Sequence, residues 1–237
     1  MEFVVMFVIA LAISACMIYY KHSRDQRREQ CIQDFMPPPE MLDVMRVRYP
    51  HLSMADCETV VQALRQFFLA HLRNRMFFMS MPSQVADALW HEFILSTRLY
   101  EEFCRRAFGK MLHHTPAHAV GGLRQARLGL RRAWKLICAQ ERIDPKNPER
   151  LPLLFALDAT LEIKDGFFYR LDCKERMRRG ATLGADGTTG VYCGADLGAD
   201  FIAGADGGVD LGCGGDAGCG SCGGGCGGCG GGCGGGD

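Results

Sequence analysis

Residues 53–73 read Ser53-Met-Ala-Asp56-Cys57-Glu-Thr-Val60-Val61-Gln-Ala-Leu64-Arg-Gln-Phe67-Phe68-Leu-Ala-His-Leu72-Arg73. Ser53 suits an N-cap, and Asp56 three positions later completes the pattern of a capping box. Apolar residues then recur at intervals of three and four, the period of one helix face. They are Cys57, Val60, Val61, Leu64, Phe67, Phe68 and Leu72. The stretch predicts an amphipathic helix with one face toward a core.

A second helix is expected after Met81-Pro82-Ser83, with Gly109 as its left-handed C-terminal residue. On a helical wheel one face of this helix collects six residues, and we expect that face to be core. The six are Trp90, Phe93, Thr97, Tyr100, Cys104 and Phe108.

A third helix is predicted after Gly121-Gly122 and a shorter one over residues 149–161. The third has an apolar stripe opposite a basic side that carries Arg124, Arg127, Arg131, Arg132 and Lys135. One short extended segment over residues 167–171 closes the body. Four helices with so little strand predict a mainly α fold class, with a small helical domain over residues 38–179.

The chain starts with an apolar run over residues 3–20, interrupted only by Ser14. As a helix rising about 1.5 Å per residue, it nearly matches the ~30 Å hydrocarbon core of a bilayer. Basic residues follow the run, and Glu2 precedes it. The pattern predicts a single-pass transmembrane anchor over residues 1–20, a juxtamembrane linker over residues 21–37 and a body in the cytoplasm.

Two other readings of the first residues stay open. A cleaved secretory signal normally has a basic start, where this chain has Glu2. Ile13-Ser14-Ala15-Cys16 resembles a lipoprotein processing site, which would put a lipid on Cys16 and the body outside the cytoplasm. The apolar run continues past Cys16 to Tyr20, which favours the anchor.

The composition changes at Gly180. From there on lie 25 of the 30 glycines, seven Asp, and no Lys, Arg or Pro. The other 20 acids face 27 Lys and Arg, so residues 1–179 carry a net charge of about +7 and residues 180–237 about −7. With few apolar side chains to bury, residues 180–237 are predicted to be a disordered low-complexity tail.

Candidate metal ligands in the body are His91, Cys104, His113 and His114, since imidazole and thiolate are usual zinc ligands. On an unbroken helix His91 and Cys104 would lie nearly 20 Å and about 140° apart, too far to share an ion. A reversal at Gly109 would let His113 or His114 return toward either residue. Nucleophilic catalysis by Cys104 would need a lowered thiol pKa, whereas an apolar face raises it.

The tail offers a second candidate metal site. Cys219 with Cys222, and Cys226 with Cys229, form two C-x-x-C pairs that are chemically able to hold zinc, copper(I) or an iron–sulfur cluster. Only three glycines separate the pairs, far fewer residues than in a zinc ribbon. The spacing therefore favours a disordered tail over a defined cluster.

Two blocks of this sequence resemble bacterial glycine-rich domain-containing proteins, and more distantly plant glycine-rich domain proteins. The first block consists of Asp87, Trp90-His91-Glu92-Phe93-Ile94, Thr97, Tyr100, Phe103-Cys104, Phe108-Gly109, His113-His114 and Pro116. The second is Leu151-Pro152-Leu153-Leu154-Phe155-Ala156-Leu157-Asp158. The resemblance covers roughly residues 38–173 and implies no particular activity.

These observations favour a membrane-anchored helical binding or interaction module, with the membrane and a protein as its expected partners. The alternative is a metal-binding protein or metal-dependent enzyme that uses His91, Cys104 and His113 or His114, with zinc as one candidate ion. Nucleic acid is not expected, because no aromatic residues alternate with the basic ones. The basic side of the third helix is a candidate contact for anionic lipid, although most such stripes are solvated.

Overall fold

The computed structural model describes residues 1–115, 123–171, 192–193 and 197–198, all within the unit Met1–Asp200. Its elements, in chain order, are α1 (Glu2–Gln33), α2 (Pro39–Arg48), α3 (Met54–Arg73), α4 (Gln84–Leu95), α5 (Thr97–Ala107), α6 (Leu123–Gln140), α7 (Leu153–Thr160), β1 (Tyr169–Arg170) and β2 (Tyr192–Cys193). The described part of the chain is thus mainly helical, and the predicted fold class is confirmed.

Helix α3 is the centre of the body and packs against α1, α2, α4, α6 and α7. The Ser53 hydroxyl accepts a hydrogen bond from the Asp56 amide, and the Asp56 carboxylate accepts one from the Ser53 amide. This capping box starts the helix where the sequence predicted. Leu64, Phe67 and Phe68 have no exposed surface, so the predicted apolar face is the core.

The long helix predicted from Ser83 to Gly109 is wrong in one respect, because it breaks at Ser96. Ser96 leaves helical geometry and its carbonyl accepts the first hydrogen bond of α5, from the Tyr100 amide. Serine suits such a position because its hydroxyl competes for backbone hydrogen bonds inside a helix, so serine is favoured at helix starts. Trp90 and Tyr100 are buried as predicted, whereas Thr97 is exposed.

Helix α1 begins in the apolar run and continues without interruption to Gln33. Within the described ranges it is the one helix long and apolar enough to cross a membrane, a property that signal sequences share. Its last turns pack against α3 and α5, and Ile32 has no exposed surface. The segment expected to be a juxtamembrane linker therefore contributes a helix and a core residue.

The C-terminal half of the body packs on α3 and α4. Helix α6 starts at Leu123, as predicted after the double glycine, and buries Ala133, Trp134 and Ile137. Helix α7 is shorter than predicted and starts after Pro152.

Two short pieces of the chain beyond Gly180 belong to this body. Strand β2 pairs in parallel with β1, and Leu197 is 95% buried in the core. The described structure therefore includes four residues, 192–193 and 197–198, of the range that the composition assigned to the tail. The four tail cysteines proposed as ligands, Cys219, Cys222, Cys226 and Cys229, lie outside the described residues.

Candidate functional site

Three side chains with metal-binding atoms converge on the surface of α4. They are Asp87, His91 and His114, each of which offers one ligand atom within 4.8 Å of the others. His114 Nε2 lies 2.8 Å from Asp87 Oδ1, and His91 Nδ1 lies 3.7 Å from Asp87 Oδ2. The two imidazole rings have their centroids 4.3 Å apart.

Helix α4 supplies two of the three residues. Asp87 and His91 are four positions apart, so their side chains project from one face. The start of α4 is fixed by Ser83, whose hydroxyl accepts from the Ala86 amide, and by Asp158 of α7. The Asp158 carboxylate accepts from the Gln84 and Val85 amides of α4 and from the Phe167 amide.

This buried carboxylate satisfies donors that a helix start otherwise leaves unpaired. Asp158 is only 1% exposed. Thus the second sequence block, which ends at Asp158, holds the helix that carries the first block. The two blocks are one structural unit.

The third residue, His114, arrives on a segment that reverses after α5. Gly109 adopts φ +75°, a conformation that favours glycine and turns the chain back toward α4. The Tyr100 hydroxyl then donates a hydrogen bond to the Leu112 carbonyl and accepts one from Trp90 Nε1 at 3.2 Å. The Trp90 ring also packs edge-on against His114, with centroids 4.6 Å apart.

Tyr100 and Cys104 lie beneath this segment and are buried. Burial, reinforced by the neighbouring Cys104, raises the pKa of the Tyr100 phenol far above its usual value. The phenol therefore stays protonated and can serve as donor and acceptor at once. Burial likewise raises the pKa of the Cys104 thiol, against the opposing hydrogen bonds of the Leu112 backbone and Tyr100.

The structure therefore brings together only part of the predicted ligand set. His91 and His114 meet, as the reversal at Gly109 allowed. Cys104 is 99% buried on α5 and is not one of the converging ligands. His113 is exposed and is not one of them either. A raised pKa and this burial also make Cys104 a poor nucleophile.

Sequence reasoning missed Asp87 as a candidate ligand. Its position four residues before His91 was the available signal, because residues at this spacing share a helix face. An Asp at such a spacing is common on helix surfaces, so the pattern alone does not single it out. The contact with His114, which follows 27 positions later, needed the structure.

Two imidazoles and one carboxylate suit a first-row transition metal ion. Zinc and iron(II) sites use this ligand set and leave further positions open for water or a small ligand. The three side chains differ in exposure: that of His114 is 12% exposed, that of Asp87 21% and that of His91 46%. The inner pair is thus held by the body, while His91 borders the solvent.

These features define a mainly helical protein that combines one strongly apolar N-terminal helix with a His–His–Asp cluster on its body. A model of the UCP032817-like family matches residues 27–197, which is most of the chain. The chain belongs to this family. No curated protein and no solved structure matches it.

Proposed function

We propose that this protein is a membrane-anchored helical binding module whose ligand is a transition-metal ion held by Asp87, His91 and His114. The observation that carries the proposal is the convergence of these three side chains within 4.8 Å. Zinc is the preferred ion, because it accepts mixed imidazole and carboxylate ligands without a strict geometry. We assign no reaction to the site.

The competing explanation is a simple hydrogen-bonded pair, in which Asp87 holds His114 against α4. A pair of this kind accounts for the 2.8 Å contact of one Asp87 oxygen, whereas the other oxygen lies 3.7 Å from His91 Nδ1 and is available to a second partner. The His91 ring lies 4.3 Å from the His114 ring although its side chain is 46% exposed and has solvent space in which to turn away. Two adjacent imidazoles beside one carboxylate are better explained by a shared cation.

Support for the anchor comes from the continuity of α1. Its apolar first part is exposed, and its last turns belong to the core of the body. A cut in the apolar part would interrupt a helix whose last turns pack in the core, and this continuity favours a permanent anchor over a cleaved signal. The basic residues that follow the apolar run support a body in the cytoplasm.

The metal site is tested with the full-length protein in lipid nanodiscs, after accessible thiols have been alkylated to silence the tail cysteines. Cobalt(II) is the probe, because its visible spectrum distinguishes nitrogen and oxygen ligands from thiolates. We expect saturable binding with a spectrum free of thiolate bands, displaced by zinc. The His91→Ala variant should lose most of this affinity.

His113→Ala is the matched control. His113 and His91 are both exposed histidines, so either substitution removes one imidazole from the surface without disturbing the core. Binding that His91→Ala leaves intact, or that His113→Ala weakens equally, would contradict the proposal. Asp87→Asn offers a second check, since it keeps the shape of the side chain but removes the charge that favours a cation.

The likeness to bacterial glycine-rich domain-containing proteins is part of the same proposal. Both blocks that carry the likeness lie inside the matched range 27–197. The first block contains all three proposed ligands, and the second ends at the residue that caps α4. If this unit is what such proteins share, its common purpose is to hold the His–His–Asp cluster.

A further inference from the structure

The membrane-facing end of the body is built from loops that follow two different helices. Helix α1 packs against α3 and α5, and the contacts along α1 show in which direction each of these two helices runs. Just past the end of α1, the Phe35 carbonyl accepts a hydrogen bond of 2.6 Å from Arg65 Nε of α3. The centroid of the Phe35 ring lies 5.0 Å from that of the Phe103 ring of α5.

Closer to the apolar run, the contacts move toward the C-terminal ends of both helices. Glu29 pairs with Arg73 Nε of α3 at 3.3 Å. Arg28 lies against Gly109, just past the end of α5. Both helices are therefore antiparallel to α1, and both end on the side from which α1 leaves the body toward its apolar part.

The surface at this end is basic. Residues 21–29, 73–77 and 109–111 contain seven Lys and Arg against two acids, Asp25 and Glu29. Each of these acids already has an ion pair within this surface, with Arg24 and Arg73 respectively. The net charge here is thus clearly positive.

Two large apolar side chains are exposed among these charges. Phe77 is 62% exposed in the turn after α3, and Met111 is 40% exposed after α5. Two hydrogen bonds of 3.1 Å close the turn that holds Phe77: the Phe77 amide donates to the Asn74 carbonyl, and the Asn74 side-chain amide donates to the Phe77 carbonyl. An exposed aromatic ring on an ordered turn within a basic surface is typical of proteins that touch a lipid interface.

The distance to the bilayer suits this contact. From Tyr20, where the apolar run ends, to Arg28 a helix rises about 12 Å. The headgroup layer occupies about 5 to 8 Å of that distance. The remaining gap is shorter than the ~8 Å over which charges act at physiological ionic strength, and helix tilt shortens it further.

We propose that this end of the body, which we call the lipid-facing end (residues 21–29, 73–77 and 109–111), docks on anionic phospholipid headgroups, with Phe77 inserted at the interface. The body is then seated on the bilayer and does not swing from its anchor. This inference rests on the part of the proposed function that makes α1 a membrane span, and it is independent of the metal site.

The test uses the full chain reconstituted in vesicles whose lipids carry bromine on the acyl chains, which quench nearby tryptophan. The native Trp90 and Trp134 are buried and supply a constant background. Phe77→Trp reports on the lipid-facing end. Leu95→Trp is the matched control, because Leu95 is 73% exposed but precedes α5, at the opposite end of that helix.

In vesicles with phosphatidylserine, Phe77→Trp should be quenched several-fold more than Leu95→Trp. Reversing two exposed charges, with Arg75→Glu and Lys110→Glu, should remove most of the quenching, whereas Arg98→Glu at the far end should not. Equal quenching at both positions would overturn the proposal. So would equal quenching in anionic and purely phosphatidylcholine vesicles, because the basic residues would then have no role.

The membrane span is checked in the same samples by alkaline extraction. A protein that stays in the vesicles while Phe77→Trp remains unquenched has its anchor but no docked body, so only the docking fails. A protein extracted at high pH lacks the span itself, and the proposed function fails with it.

Discussion

The Asp158 carboxylate accepts a hydrogen bond of 2.6 Å from the Ser83 hydroxyl, across 75 positions of the sequence. Both residues are buried, and the same carboxylate accepts from two amides at the start of α4 and from the Phe167 amide. A carboxylate with four donors is stable in the interior because its charge is fully compensated by hydrogen bonds. The position of α4, and of Asp87 and His91 on it, therefore depends on a residue in α7.

Replacing this carboxylate should be costly. Asp158→Ala leaves three backbone amides and a hydroxyl without their acceptor, and we expect a loss of about 3 kcal/mol or more in the free energy of unfolding. Urea unfolding followed by circular dichroism measures it. Asp165→Ala removes an exposed carboxylate seven positions later and should change stability by less than about 0.5 kcal/mol. Similar losses in both variants would show that the hydrogen bonds to Asp158 contribute little.

The Tyr100 hydroxyl should affect metal binding at the proposed site, although it does not contact the three candidate ligands. Tyr100→Phe removes the link between Trp90 and the Leu112 carbonyl, which positions the segment bearing His114. We expect cobalt affinity to fall by about tenfold, the scale of changes in groups that orient ligands. Cobalt titration of the full-length protein measures it, beside the unfolding free energy of the same variant. An unchanged affinity would mean that Trp90 packing alone places His114.

The helices of the body follow from apolar periodicity, since α3 buries six of the seven apolar residues that recur at three and four positions, all but Leu72. The break at Ser96 does not follow, because the apolar stripe continues across it from Phe93 to Tyr100. A wheel drawn through the break puts Thr97 in the core, where the structure exposes it. Periodicity reports which residues are buried but not whether one helix or two bury them.

The site was predictable only in part for a related reason. His91 and His114 are recognisable from their side-chain chemistry, and Gly109 indicates a reversal between them. Their meeting point depends on how far the segment is pulled in by the Tyr100 hydroxyl, a contact between residues twelve positions apart. Cys104 was a candidate ligand by its chemistry, and its burial on α5 agrees with its place on the predicted apolar face.

His71 should make the stability of the protein depend on pH. Its ring is 4% exposed, and neither ring nitrogen has a hydrogen-bond partner among the described residues. Burial lowers the pKa of His71 from 6.5 to about 4. As pH falls below about 6.5, His71 becomes protonated in the unfolded chain but stays neutral in the folded protein. The free energy of unfolding therefore declines until about pH 4, below which His71 is protonated in both states.

The loss over this window amounts to about 3 kcal/mol for such a shift. His71→Phe removes the titrating group and keeps a ring beside Phe67, whose centroid lies 4.7 Å from that of His71. Unfolding free energies at pH 7 and pH 5 should therefore differ less in the variant than in the parent protein. If the pH dependence persists unchanged in His71→Phe, other groups cause it.

Gly129 should resist replacement by alanine, although it lies inside helix α6. Intrinsic helix preference favours alanine there by about 1 kcal/mol. A Cβ at this position would lie 2.6 Å from Phe78 Cε1 and 2.8 Å from the Ser80 backbone nitrogen. The Ser80 hydroxyl also donates to the Ala126 carbonyl at 2.9 Å, and Arg132 donates to the Phe78 carbonyl at 3.1 Å, so this segment is tied to α6 on both sides of the contact.

Because the backbone of Ser80 cannot retreat without breaking those bonds, we expect Gly129→Ala to lower the unfolding free energy by about 1 to 3 kcal/mol. Thermal unfolding followed by circular dichroism measures it. Arg127→Ala is the control for a substitution to alanine on the same helix without a steric contact, and it should have little effect because Arg127 is exposed. A stabilised Gly129→Ala protein would show that residues 78–80 can move away from α6.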